Sequence, residues 1–396
     1  MHALLAFDKF KHSMTAAEAC AAAADSLRLA QPAWNLQTVP LTDGGEGFAE
    51  ILTRTLGGDL HFLTVTDALF RPKEAVFGIV PYEHVPVAAR ERLRLPGCAR
   101  LAVVEMAQAA GIEGLDESER DPWSASTFGV GELLKAAIEA GADAILLGVG
   151  GSATNDLGVG ALEALGVIAY GHDLQPRCRL TPQTWKDVAS LGGLYNVSNF
   201  PPVRIACDVD NPLTGERGAT AVFGPQKGLR ADDFVSLERA VNKMADRLLG
   251  LCGVPEEAFA ERKAAAGSGA AGGIGFGLSC ALPDVAYISG FPLFADWCDL
   301  QTALRGADWI LTGEGRFDAS SLGGKGPSAI LAMAGAGTRV KVFAGSVDEA
   351  LRRDPPAPLS PADIIAISPP DLPLAQALRE APDRLAAAVK AAFSHL

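Results

Sequence analysis

The sequence contains no C-x-x-C pair, no cysteine–histidine spacing of a metal site, no long apolar run and no G-x-x-x-x-G-K-[ST] loop. Its seven cysteines (Cys20, Cys98, Cys178, Cys207, Cys252, Cys280 and Cys298) are scattered and odd in number. That points to reduced thiols in the cytoplasm rather than to a disulfide framework or a zinc site. A membrane helix needs about 20 predominantly apolar residues, and nothing here approaches that. The apolar start of the chain breaks at Asp8-Lys9, too early for a signal peptide. The missing G-K-[ST] excludes a Walker-type phosphate loop. Basic residues are also in deficit, 34 Lys and Arg against 47 Asp and Glu, for a net charge of -13. Such a surface repels nucleic acid and anionic membranes, so an anionic substrate has to be met by a few locally placed cations or backbone N–H groups.

What is present suits a well-cored globular chain: 396 residues, 48% hydrophobic and 20% charged, enough for two or three domains. Ala3–Phe7 reads as a strand, and Thr15-Ala16-Ala17-Glu18 has capping-box spacing before an Ala/Leu helix reaching Ala30. An apolar run ends at Leu41, and a helix from Phe48 to Leu56 stops at Gly57-Gly58. Further strands are expected at Leu101–Val104, Ala144–Val149, Val203–Cys207, Trp309–Leu311, Val340–Phe343 and Ile364–Ile367. This alternation predicts an α/β protein with mainly parallel sheets. Residues 66–100 read as turn-rich antiparallel strands such as Ala75–Val80, and 168–202 as loops or hairpins. The expected organisation is a doubly wound parallel-sheet domain built from both chain ends (1–60 plus 286–396), with a mixed α/β domain inserted at 61–285.

Acids recur immediately after candidate strands: Asp8, Asp43, Glu105, Asp208 and Glu314. Open α/β sheets bind ligands at the carboxyl ends of their strands; a single acid there is usually a helix cap or turn former, but five such loops, several with adjacent Gly, are harder to dismiss. The richest segment is Gly148–Asp156. There Gly150 and Gly151 permit close backbone approach, Ser152 and Thr154 add hydroxyls, and the helix that follows offers N–H donors to phosphate. Asn155 and Asp156 can reach a metal or a substrate hydroxyl; a tight turn with an Asx cap would look the same. Asp208 and Asp210 alternate beside Asn211, a set of oxygens suited to Mg²⁺ or to a hydrated turn. Lys227, on a Gly/Pro turn, can neutralise a phosphate as a point charge or be merely solvated. Gly267–Gly272 spells G-x-G-x-x-G but follows the charged, helical Glu261–Ala264 instead of a strand. It therefore reads as a loop over phosphates (Gly269, Gly272) or a close-packed helix start. Glu314, Arg316, Asp318 and Lys325 mix acids and cations in what read as turns, a composition suited to an anionic substrate with metal, or to a structural ion-pair cluster.

Nine segments, in this order, resemble the type II glycerate kinase family: DKFK (8–11), DGGEG (43–47), VEMAQAAG (104–111), STFGVGELL (126–134), GVGGSATND (148–156), ACDVDNPLTG (206–215), AVFGPQKG (221–228), GSGAAGG (267–273) and TGEGRFD (312–318). Several blocks are long and unusual, and the likeness covers nearly the whole chain. The resemblance implies ATP- and Mg²⁺-dependent phosphorylation of D-glycerate, usually to 2-phosphoglycerate. It also implies a flavodoxin-like domain made from both chain ends and a second, inserted domain, with the active site expected in the cleft between them. Two positions depart from the family pattern: His12 stands where Gly is usual in D-x-F-K-G-S, and Leu157 where Gly commonly follows G-G-S-A-T-N-D. His12 would narrow the substrate pocket or alter a phosphate-facing turn, which puts the identity of the substrate in question.

The expected mechanism places ATP phosphates at Gly150, Gly151, Ser152, Thr154 and Asn155, helped by Lys227, Gly269 and Gly272. Mg²⁺ would lie near Asp208 and Asp210, with Glu314 or Asp43 as alternatives. Asp210, Asp318 and Asp156 are the candidate bases. Asp8, Lys11, Asp43, Glu46 and Arg316 would hold the substrate, whose carboxylate needs Lys11 or Arg316. The expected partners are glycerate and ATP, without nucleic acid or membrane, and a homodimer is allowed. A kinase for another small hydroxy acid, a nucleotide- or sugar-acid-binding sensor, and an oxidoreductase using Gly267–Gly272 are the competing classes.

Overall fold

A computed structural model of the chain describes residues 1–324, 326–335 and 337–395, so Lys325 lies outside the described residues. The chain divides into two compact units, residues 1–43 with 294–396, and residues 44–293.

In the first unit His2–Phe7, buried from Ala3 on, is an interior strand of a five-stranded, wholly parallel sheet. It pairs with Asn35–Thr38 on one side and Trp309–Phe317 on the other, and Arg339–Val347 and Ile364–Ala366 continue outward.

 In chain order the strands run 2-1-3-4-5 across this sheet, the flavodoxin-like arrangement, with the edge strand Ile364–Ala366 last. The helix Ala16–Ala30 begins with the expected capping box: Thr15 Oγ1 accepts from the Glu18 amide at 3.2 Å, and Glu18 Oε2 accepts from the Thr15 amide at 2.8 Å. Its Cys20 and Leu27 pack with Leu385, Val389 and Phe393 of the C-terminal helix Leu374–Phe393 over Leu5, Phe7 and Leu311. Strand side chains alternate between faces, so Leu4 and Ile310, also fully buried, point to the opposite face of the sheet. The helix Gly326–Met333 also packs on these two central strands.

Trp309–Phe317 is longer than the apolar run Trp309–Leu311 suggests. Its glycine-rich second half stays extended because Glu314 and Arg316 are in register with Ala344 and Ser346 of the neighbouring strand. Glu314 and Arg316 therefore stand on a strand, not in a turn.

The second unit holds a six-stranded sheet in the order Val285–Ile288, Val203–Ala206, Ala144–Gly148, Arg100–Glu105, Pro72–Pro81, Asp59–Thr66. The first four are parallel and the last two antiparallel. Ala144–Gly148 is buried along its whole length, as a central parallel strand covered on both faces should be. Residues 168–202 contain a small antiparallel sheet of Pro176–Arg177, Ile168–Tyr170 and Ser190–Gly192, with the 3-10 turn Trp185–Asp187 in the longer connection. The helix Phe48–Thr55 packs on Pro72–Pro81 and Arg100–Glu105, and its Ala49 amide donates to Glu105 at 3.1 Å. Among the described residues no helix is long and apolar enough to cross a membrane.

Candidate active site

In the second unit the chain leaves the strand Ala144–Gly148 through a loop, 149–158, that is pressed against residues 44–46. The Gly150 amide donates to Gly44 O at 2.9 Å, and a Cβ at Gly150 would lie 2.6 Å from Gly45 Cα. Gly151 has φ +68°, and a Cβ there would lie 2.0 Å from Glu46 Oε1. The glycines thus allow two backbone segments to meet, and Glu46 is brought to the loop. The far side is closed by the third glycine-rich segment: the Leu157 amide donates to Gly272 O at 3.0 Å. Cβ atoms at Gly272 and Gly269 would fall 2.2 Å from Thr154 O and 2.1 Å from Pro212 O. Gly269 and Gly272 are therefore packing contacts that lock the loop.

Asp156 is completely buried. Its Oδ2 accepts from the Thr127 amide and hydroxyl, both at 2.8 Å, and from the Gly160 amide at 3.2 Å, while Oδ1 accepts from the Gly158 amide at 3.1 Å. Burial pushes its pKa up, and these hydrogen bonds oppose the shift. Thr127 Oγ1 accepts in turn from the Ala161 amide. The amides that open the helix Val159–Ala164 are consumed by this cap, so neither the helix start nor Asp156 is available to a ligand, contrary to the expectation of phosphate binding there and of Asp156 as a base.

The loop itself keeps its polar groups. Among the described residues, the amides of Gly151, Ser152, Thr154 and Asn155 donate to no protein acceptor. Thr154 Oγ1 and Asn155 Oδ1 are buried without a partner, although Asn155 Nδ2 reaches Thr220 Oγ1 at 3.2 Å. Unpaired buried polar atoms are costly, and a run of them on a glycine loop is a site for an anion. Lys227 is not a surface lysine but lies buried against the loop, donating to Ser152 Oγ at 2.9 Å and to Thr154 O at 2.6 Å.

Asp208, half-buried beyond the strand Val203–Ala206, accepts from the Phe291 amide at 2.8 Å. Asp210 is exposed and paired with Arg217 at 2.9 Å. Among the described residues no three His, Cys, Asp or Glu side chains converge as a metal cage. Lys73, which nothing in its strand sequence marks as functional, is drawn into this region. Burial lowers its pKa, while Asp67, Glu105 and Glu46 counteract.

In the first unit, Asp8 follows the strand His2–Phe7 and Glu314 stands on the adjacent Trp309–Phe317. Chain order reverses between these two strands, and such a switch point is where open α/β sheets bind ligands. Burial raises the Glu314 pKa to about 7; the Asp8 and Asp318 charges add to the rise and a Ser321 hydrogen bond opposes it. Glu314 Oε1 and the neighbouring Thr312 Oγ1 are buried without partners. Arg316 is exposed and paired with Asp318 at 2.8 Å, whereas Lys11 is exposed on the loop after Asp8. Asp43 ends this unit, partly buried. His12 is also exposed and has φ +61°. Leu157, at the other departure from the family pattern, has φ +57°. Both stand in the left-handed region that glycine adopts without steric cost, which accounts for Gly at these places and makes His12 a turn residue.

Comparison with known proteins places the chain in a family. The model of the glycerate kinase family matches residues 3–396. A glycerate kinase of Bacillus subtilis (strain 168) is 36% identical over 332 residues, 83% of this chain and 80% of that protein. The glycerate 2-kinase of Escherichia coli (strain K12) is 32% identical over 339 residues, 83% of this chain and 80% of that protein. A solved structure of a glycerate kinase 2 from Salmonella typhimurium LT2 superposes with a TM-score of 0.72 at 30% identity, covering 100% of this chain and 98% of that one. With a glycine loop rich in unpaired donors and acids at a sheet switch point, and with relatives spanning most of its length, this chain is a kinase and belongs to the glycerate kinase family.

Proposed function

We propose that this kinase transfers the γ-phosphoryl group of ATP to the 2-hydroxyl of D-glycerate, giving 2-phosphoglycerate. The observation that carries the reading is the Gly151–Asn155 loop, whose unpaired amides and buried Thr154 and Asn155 oxygens call for a ligand. The name of the Escherichia coli relative favours the 2-hydroxyl. Seven free thiols suit a reducing cytoplasm.

Phosphoryl transfer asks the protein for positioning and charge neutralisation more than for covalent chemistry. The Gly151, Ser152, Thr154 and Asn155 amides and the Thr154 hydroxyl take the nucleotide phosphates. ATP enters as its Mg²⁺ complex, an ion that keeps several waters and needs only one or two carboxylates besides phosphate. Asp208, half-buried on the loop beyond Val203–Ala206, would be the carboxylate that meets the ion. When bound, Mg²⁺ neutralises charge on the transferring group. Glu314 takes the proton of the substrate hydroxyl, and Lys11 meets the glycerate carboxylate, since Arg316 is already engaged by Asp318.

Incubation with ATP, Mg²⁺ and D-glycerate should produce a new phosphomonoester signal in the ³¹P NMR spectrum with the coupling of 2-phosphoglycerate. Coupling of the 3-isomer, or no signal from protein that binds ATP, would refute the assignment. Thr154→Val tests the loop. The change is nearly isosteric and removes a hydroxyl with no partner in the free protein, so stability should hold or rise. KM for ATP should increase about tenfold, the worth of roughly one hydrogen bond to a charged group. An unchanged KM would place the phosphates elsewhere.

A further inference from the structure

Lys227 closes the turn Pro225–Lys227, which is held in place by Gly228: that residue has φ +90°, and a Cβ there would lie 1.9 Å from Arg120 O. From this turn the side chain runs inward until only 1% of the residue is exposed. Its amine donates to one hydroxyl and one carbonyl of the phosphate loop, Ser152 Oγ and Thr154 O. An ammonium group has three donors, so one remains. No carboxylate among the described residues forms an ion pair with Lys227. Asp156 is the acid whose charge reaches it, and the Asp156 oxygens are occupied by Thr127, Gly158 and Gly160. Arg120 meets the turn through its backbone and Cβ. An amine so enclosed is stable as the neutral base or beside an anion, and the nearest place for an anion is the loop it holds.

We propose that Lys227 is a positioning residue that shapes the Gly151–Asn155 loop from inside and takes up a proton when the phosphates of ATP bind there. The inference rests on the reading of this loop as the phosphate site. Burial lowers the Lys227 pKa to about 7, with the Asp156 charge opposing; a phosphate brought alongside favours the charged form and raises it. Above pH 7 the free enzyme therefore carries a neutral amine and the complex an ammonium. Below about pH 6 both are protonated and the linkage disappears.

The test is calorimetric titration of the whole enzyme with Mg²⁺ and a non-hydrolysable ATP analogue. At pH 8 the runs are made in two buffers of different ionisation enthalpy. The buffer dependence should report uptake approaching one proton per nucleotide, and affinity should fall about fivefold from pH 7 to pH 8. Lys227→Met should abolish the uptake, flatten that pH dependence and weaken binding at least tenfold. Binding by the wild-type enzyme without proton uptake overturns the proposal, with no variant needed. So does uptake that persists in Lys227→Met, or a weakened variant that keeps the wild-type pH dependence, since that is the mark of a purely structural lysine. If Thr154→Val leaves the affinity untouched, the loop is not the phosphate site and the reading beneath this inference fails with it.

Discussion

Glu314→Gln is expected to lower kcat by about 10²–10⁴, the usual contribution of a general base, with little change in KM for either substrate. The side chain is held at a switch point of the sheet with one oxygen unpaired, near Asp8 and Asp318. A pKa of about 7 lets it accept a proton at neutral pH and release it afterwards. Glutamine preserves shape and removes a like charge from an acidic cluster, so thermal unfolding should occur at the same temperature or higher. Steady-state kinetics beside a melting curve separate the two effects. If kcat stays within tenfold of the wild type, the base is another group, and Asp318, 22% exposed in its side chain and within reach of Arg316, is the next to replace.

Asp156→Asn should do the reverse. The carboxylate receives four hydrogen bonds in a fully buried place, and an amide cannot accept them all, because its NH₂ faces at least one N–H donor. Stability should fall by about 2–4 kcal/mol, read as a shift in the urea unfolding midpoint, while the folded fraction keeps kcat within tenfold. A kcat loss as large as that of Glu314→Gln without destabilisation would return Asp156 to the chemistry.

These opposite expectations for two acids show what the sequence displays and what it hides. The capping box at Thr15 and Glu18, the buried strand at 144–148 and the acids after strands are local signals, and they survive in the structure because propensity and tertiary context agree there. Three glycine-rich segments were also visible, but not that 44–46 and 267–273 are pressed against 149–158 by contacts only glycine permits. Asp156 reads as a ligand until Thr127, 29 residues earlier, is seen to donate to it. Lys227 reads as a surface charge until Ser152, 75 residues away, accepts a hydrogen bond from it. Glu314 owes its raised pKa to burial and to an aspartate from the other end of the chain. In each case the decisive partner is distant in sequence, and neither spacing nor periodicity carries that information. The strand Val285–Ile288 was hidden for another reason: four half-buried residues at a sheet edge make too short a pattern to stand out.

The order of strands in the first unit also has a consequence for synthesis. Its strand His2–Phe7 is made some 300 residues before its neighbour Trp309–Phe317. At about 5–20 residues per second that is a wait of roughly 15–60 s. Throughout it an apolar strand and the helix Ala16–Ala30 lack most of the sheet and the C-terminal helix that will cover them, while residues 44–293, being continuous, can fold as they appear. The nascent chain must therefore carry an uncompleted apolar edge through that interval, and exposed apolar surface with an unpaired strand edge is what makes a folding intermediate prone to aggregate.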